Sequence, residues 1–200
     1  MTEKEKMISG MAYSVLDEEL IRLHRACVDA CALCDRLLPS QLEERKKRLA
    51  RILGRTGERF LIEPGFFCDY GFNIEIGENF FANYRLTILD CAPVRFGDNC
   101  FIGPQCGFYT ACHPLDAMER ASGLEYAKPI TVGNDVWFGG HVAVLPGVTV
   151  GSGSVIGAGS VITRDMPPGV VAAGNPCRPL RPITEKDRLA VSSARLPEKR

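Results

Sequence analysis

The chain has 200 residues, with 24 lysines and arginines against 24 aspartates and glutamates, and 46% of its residues are apolar. That length suits one domain with a small appendage, and the apolar fraction is enough for a continuous core. Zero net charge removes the global field that would draw nucleic acid or an anionic membrane surface, so neither is expected as a partner.

The opening MTEKEKMISG holds no apolar run of signal-peptide length, and no later segment approaches a membrane span. Nine cysteines, an odd count, then fit buried thiols in a cytoplasmic protein better than a disulfide framework. From Met7 to Gly54 the pattern is helical. Leu16, Leu20, Leu23, Cys27, Cys31 and Cys34 recur at three and four, and Asp17 and Glu18 suit a first turn. A second helix restarts after Pro39, with Ser40 as the expected N-cap, Glu43 three residues on and Gly54 as the stop. The expectation is a helical hairpin whose charge run, Glu43 to Arg48, is a solvated face. Cys27, Cys31 and Cys34 are expected as a core stripe, because one helix face offers no second ligand pair for a metal.

From Phe60 onward the character changes. Val132, Phe138, Val144, Val150, Ile156 and Ile162 fall at six-residue steps, and Gly133, Gly139, Gly151 and Gly157 each follow one of them. A looser version runs through Ile76, Ala82 and Ile88, slips near LDCAPVR, and resumes at Phe96, Ile102 and Phe108. An aliphatic residue followed by glycine every six positions marks a parallel β-helix. The aliphatic side chain points inward, the glycine lets the backbone turn, and stacked coils share one core. The beat stops for Ala111 to Lys128 and ends in RDMPPGVVAAGNPCRPLRPI, where prolines cannot donate ladder hydrogen bonds.

Three histidines are available as bases near neutral pH. His24 reads as a surface or packing residue of the helix, and His141, in FGGHVAVL, as an exposed wall position. His113 leaves the repeat at the foot of the excursion, and Pro114 restrains its backbone toward an extended conformation. Its position alone leaves a functional and a structural role equally open. Cys112 makes a poor thiol partner for it, since adjacent residues of an extended chain point to opposite sides.

The stretches CDYGFNIEIGENFFANYRLTILDCAPVRFGDNC, TACHPLDAMERASGLEYAKPITVGNDVWFGG and GVTVGSGSVIGAGSVITRDMPPGVVAAGNPCR, with the opening EKEKMISGMAY, resemble the sugar O-acetyltransferase group of the hexapeptide-repeat acyltransferases. The resemblance covers nearly the whole chain. It implies a mainly β fold: an N-terminal helical segment at 1–59, a left-handed parallel β-helix at 60–182 with a protruding loop at 111–128, and a tail at 183–200. It also implies acetyl-CoA as donor, a sugar hydroxyl such as one of maltose or glucose as acceptor, and no metal. The assembly it implies is a homotrimer with sites between subunits, one subunit's loop reaching over the next.

By the same resemblance, His113 takes the acceptor proton and returns one to the departing CoA thiolate. The backbone N–H of Gly140 would stabilise the oxyanion, and Trp137 would line the cofactor cleft. CoA contacts fall on Gly140, Ala158, Thr163, Arg164, Arg178 and Arg181, the last two suited to bidentate pairing with phosphate. Sugar contacts fall on Asp69 and Asn83. A third sugar position, aspartate in the galactoside branch, is Cys91 here with Asp90 beside it, a departure that favours a maltose-type acceptor and leaves a galactoside or other small-acceptor O-acetyltransferase as the alternative. Two other readings compete with a transferase: a zinc enzyme on the same scaffold, which would need three histidines although His24 lies outside the solenoid, and a non-catalytic repeat scaffold.

Overall fold

The computed structural model describes residues 1–189, so residues 190–200 of the expected tail lie outside the described residues. The N-terminal segment forms α1 (Glu3–Ile8), a short strand Tyr13–Ser14, α2 (Glu18–Asp35) and α3 (Leu42–Ile52), where a plain hairpin was expected. Thr2 and Glu5 close a capping box around the start of α1. Asp17 sits just outside α2 as its N-cap, its carboxylate accepting from the Leu20 N–H at 3.0 Å. Ser40 does not cap α3. That position belongs to Gln41, whose side chain turns back to accept from the Leu38 N–H at 2.9 Å.

The stripe of α2 is buried at Leu20, Cys27, Cys31 and Cys34, while Leu16 precedes the helix and is exposed. The charge run of α3 is not wholly solvated. Arg45 is buried and donates to the carbonyls of Cys34, Ile62 and Glu63 and to the Asp35 carboxylate. Guanidinium has five donors in a fixed fork, so one side chain can close the gap between two helices and a strand end. Cys27, Cys31, Cys34, Leu49 and Leu53 join Ile62, Cys68 and Ile74 in one core.

The remainder is a parallel β-solenoid with three faces. The first carries Phe60–Ile62, Phe80–Ala82, Phe101–Ile102, Trp137–Phe138, Val155–Ile156 and Val170–Ala173, closed by antiparallel Arg178–Pro182. The second carries Phe67–Cys68, Thr87–Leu89, Gly107–Tyr109, Ala143–Val144 and Val161–Ile162; the third carries Ile74–Glu75, Val94–Phe96, Ile130–Val132 and Thr149–Val150. The hexad residues Val132, Phe138, Val144, Val150, Ile156 and Ile162 are all buried. Inside, Phe80, Phe96, Phe108 and Phe138 stack edge to face with ring centroids 5.1, 4.9 and 5.3 Å apart.

The turning position differs from expectation. The left-handed corner falls three residues after the buried aliphatic, at Asn79, Asn99, Asp135 and His141, with φ between 54° and 58°. The glycine directly after the aliphatic is needed for close approach between coils: a Cβ on Gly139 would lie 2.6 Å from the Ala158 nitrogen. Asn79, Asn99 and Asp135 form a side-chain ladder at 2.8 and 2.9 Å. His141 is thereby a corner residue.

Early coils are longer than late ones. Ile62, Ala82 and Ile102 pair at twenty-residue spacing, whereas Phe138 and Ile156 pair at eighteen. The extra residues collect at one corner, after the second-face strands Phe67–Cys68 and Thr87–Leu89. In the next coil the same corner, after Gly107–Tyr109, opens into the excursion. That excursion is a hairpin of Ala111–Cys112 and Leu124–Ala127 with α4 (Ala117–Ala121) at its tip. Tyr13–Ser14 adds a third antiparallel strand to it, Tyr13 opposite Glu125. Among the described residues no helix is long and apolar enough to cross a membrane.

Candidate active site

The corner with the extra residues holds most of the polar groups named above, but in unequal roles. Asp90 is fully buried, and its carboxylate accepts from the backbone N–H groups of Tyr70 at 2.8 Å and Asn73 at 3.3 Å. Burial pushes its carboxyl up to about 7. Its carboxylate is thus engaged by the backbone of the corner, whereas Cys91 beside it opens on a cavity. Asp69 and Cys91 line this cavity, of about 470 Å³, together with His24, Arg25, Tyr70 and Glu125. The Cys91 thiol lies 3.7 Å from the Asp69 carboxylate, and burial raises Asp69 above the usual carboxylate range despite His24 beside it.

His24, expected to be a bland helix residue, reaches this cavity: its Nε2 lies 3.3 Å from Asp69 Oδ1. One turn of α2 toward the N-terminus, Leu20 is buried, so the helix is pinned with His24 turned toward the solenoid corner.

His113 stands at the foot of the arm, with 57% of its side chain exposed and Nε2 3.7 Å from Glu125 Oε2. The other oxygen of Glu125 accepts a hydrogen bond from the Tyr13 hydroxyl. Burial pushes the Tyr13 phenol far up, so it stays a protonated donor. The Tyr13–Glu125–His113 row therefore crosses from the N-terminal strand through the arm to the candidate base. A carboxylate facing one ring nitrogen favours a proton there and leaves the other nitrogen as acceptor. Cys112 faces elsewhere, its thiol 3.8 Å from the Thr110 carbonyl.

Glu125 and Tyr13 were missed in the sequence, although one signal existed. LEYA alternates, Glu125 and Ala127 being buried and Leu124 and Tyr126 only half-buried, so period-two reading of the excursion would have placed a carboxylate on its inner face.

Four of the other expected residues, Asn83, Trp137, Gly140 and Ala158, gather one corner away. Asn83, Trp137 and Gly140 line a second cavity, of about 260 Å³, with Phe81, Phe101 and Pro104. Trp137 is 54% exposed on the outside of the first face. The Gly140 N–H has no acceptor among the described residues, which is the state an oxyanion donor requires. Asn83 is no buried amide ladder; its Oδ1 accepts from the Tyr84 N–H at 2.8 Å. Ala158 lies at the corner above Gly140, exposed, and Thr163 and Arg164 are exposed after the last second-face strand. Asn83 and Gly140 thus precede the second-face strands, whereas Asp69, Cys91 and His113 follow them. One chain keeps the two halves at opposite edges of a face.

The arginines at the end of the solenoid differ from each other. Arg178 donates to the Cys177 carbonyl at 2.7 Å. The Arg181 fork is already engaged by both oxygens of Asp187, at 2.7 and 2.8 Å. A phosphate at Arg181 would have to share it with that carboxylate. His24, His113 and His141 do not converge; among the described residues the group with metal-ligand spacing is Cys27, Cys31 and Cys68.

Three protein-family profiles match this chain: the maltose acetyltransferase hexapeptide capping motif at 6–57, the hexapeptide repeat of succinyl-transferase at 93–109, and the bacterial transferase hexapeptide at 129–164. A putative acetyltransferase of Saccharomyces cerevisiae is 47% identical over 92% of this chain and 94% of its own length. The crystal structure of a maltose O-acetyltransferase from Clostridium difficile 630 superposes with a TM-score of 0.91 at 46% identity, covering 92% of this chain and 99% of that one. A galactoside acetyltransferase in complex with coenzyme A gives 0.89 at 40% identity, covering 94% of both chains. The solenoid is the left-handed parallel β-helix of these hexapeptide-repeat proteins.

Proposed function

The chain belongs to the hexapeptide-repeat acetyltransferases of the sugar O-acetyltransferase kind, and from that premise we propose that it moves the acetyl group of acetyl-CoA onto a hydroxyl of a neutral sugar such as maltose or glucose. One observation carries the mechanism: His113, exposed at the foot of the arm, has a buried carboxylate on one side and the Asp69 cavity beyond it.

An alcohol is a poor nucleophile and CoA thiolate a good leaving group, so the demanding step is removal of the hydroxyl proton. In the ternary complex, His113 accepts that proton as the sugar oxygen bonds to the acetyl carbon. The Gly140 N–H holds the oxyanion. The carbon–sulfur bond then breaks, and His113 returns the proton to the thiolate. Glu125 stabilises the imidazolium in between. Asp69 and His24 grip a hydroxyl of the acceptor, and Asn83 another. The small residues around Ala158 and Thr163 let pantetheine approach the wall, with Arg164, Arg178 and Arg181 near the phosphates.

Because His113 and Gly140 occupy opposite edges of one face, the reading requires two subunits per site. A homotrimer supplies them, the arm of one chain lying over the Trp137 corner of the next. Leu115 and Met118, 96% and 83% exposed on the arm, suit that contact. Thiol release from acetyl-CoA with a panel of sugars tests the function, and release that never depends on the acceptor overturns it. His113→Ala should lower kcat by about 10² to 10⁴ with little change in acetyl-CoA affinity; equal loss of both would make His113 a structural residue.

A further inference from the structure

Folding supplies what the helix stripe alone lacked. Cys68, on the first strand of the second face, meets Cys27 and Cys31 of α2. The Cys27 and Cys68 sulfurs are 3.5 Å apart, the Cys31 and Cys68 sulfurs 3.8 Å, and all three lie within 4.8 Å of one another. Three sulfurs held by one ion at a metal–sulfur distance of about 2.3 Å stand roughly 3.8 to 4.0 Å from each other.

The surroundings limit the ion. All three thiols are buried, and no histidine, carboxylate or fourth cysteine joins them among the described residues. Zn²⁺ in a structural site takes four ligands, which this site does not offer. Soft thiolate ligands select Cu(I), and a d¹⁰ monovalent ion has no demand for a fourth. The Arg45 guanidinium, donating to the Cys34 carbonyl at 2.8 Å, lies near Cys31 and offsets the anionic charge of a thiolate set. We propose that Cys27, Cys31 and Cys68 form a three-coordinate thiolate site for one Cu(I) ion, beneath the acceptor cavity and separate from the acetyl-transfer machinery. Binding displaces thiol protons to solvent and transfers no electron. The site touches the cavity through the chain: Asp69 follows Cys68 directly, and His24 precedes Cys27 by one turn of α2.

The test uses the reduced, full-length protein without oxygen, offered Cu(I) as its coloured bicinchoninate complex. Fading of the colour counts the ions withdrawn. The expected result is one ion per chain, with stoichiometric uptake lost in Cys27→Ser and Cys68→Ser and kept in Cys34→Ala and Cys177→Ala. Thermal unfolding of the metal-free variants checks that they fold; should Cys68→Ser fail, Cys31→Ser and protection of the three thiols from iodoacetamide by Cu(I) take its place. No uptake overturns the site, as does uptake indifferent to these cysteines. A Cys27–Cys68 disulfide found in place of bound copper, or a four-coordinate Co(II) spectrum at the same thiols, overturns it equally.

Discussion

Glu125 is the residue through which the N-terminal segment reaches the candidate base. Its carboxylate is fixed on one oxygen by the Tyr13 hydroxyl and faces His113 with the other. A carboxylate so held aligns the imidazole and sets which ring nitrogen carries the proton. Glu125→Gln should therefore lower kcat by about tenfold or more while KM for acetyl-CoA stays within about twofold. Tyr13→Phe should lower kcat by less, because the carboxylate keeps its charge and loses only its tether. If both variants change KM alone, or if Tyr13→Phe is the more damaging, the row does not act on His113. Residue reading from the sequence singled out side chains that stand at a break in the repeat, as at His113 and Asp69. It failed where the role comes from pairing across the chain. Nothing near Tyr13 announces a partner 112 residues away, and Asp90 and Cys91 are adjacent letters whose side chains leave opposite sides of the strand end.

At the scale of elements, the repeat is most informative where it falters. The slip near LDCAPVR is the second of three successive departures at one corner, the last of which grows into the arm. A regular prism wall is too flat to hold a sugar, and added residues at stacked corners raise a rim around Asp69, Cys91 and Glu125. The hexad beat was legible because buried aliphatics recur at fixed steps. The corner chemistry was half legible: the glycine directly after the aliphatic was assigned to turning, yet its task is to admit the neighbouring coil, and the left-handed turn falls two residues later, on Asn79, Asn99, Asp135 and His141 and, in the late coils, on Gly147, Gly153 and Gly159. The helices hid their anchor, since Arg45 sits in a run of charges and only its neighbours reveal that it is buried. Arg45→Ala removes the guanidinium donor from three carbonyls and from one oxygen of the Asp35 carboxylate. A loss of about 3 kcal/mol is expected, as for breaking a buried charge network, read as a lower midpoint in urea unfolding. Arg48→Ala, whose ion pair with Glu44 is exposed, should cost under about 1 kcal/mol. Equal midpoints for the two would show that Arg45 contributes nothing beyond a surface pair.

For the whole molecule, the interior and the exterior of the first face tell different stories. Inside, phenylalanines stack and stabilise the prism from coil to coil. Outside, Phe81 lies in register with Phe101, Phe101 with Trp137, Trp137 with Val155 and Val155 with Val171. Phe101 and Trp137 each leave about half their surface to water, 51% and 54%. A ladder of apolar side chains along a flat wall is costly to expose and invites a second surface. The proposed trimer supplies one by bringing the arm and His113 of one chain to the Trp137 corner of the next. Phe101→Asp tests this at an outward-facing wall residue that also lines the Trp137–Gly140 cavity, so recovery of activity at high protein concentration separates lost assembly from a damaged cleft. Sedimentation should show the variant as a monomer or a weakened trimer, with acetyl transfer falling in proportion to the trimer lost and recovering at high protein concentration. Monomers of undiminished activity would mean that each chain assembles a complete site by itself. Gly140 precedes a second-face strand and His113 follows one, and that placement at opposite edges of the face is the reason a shared site is expected.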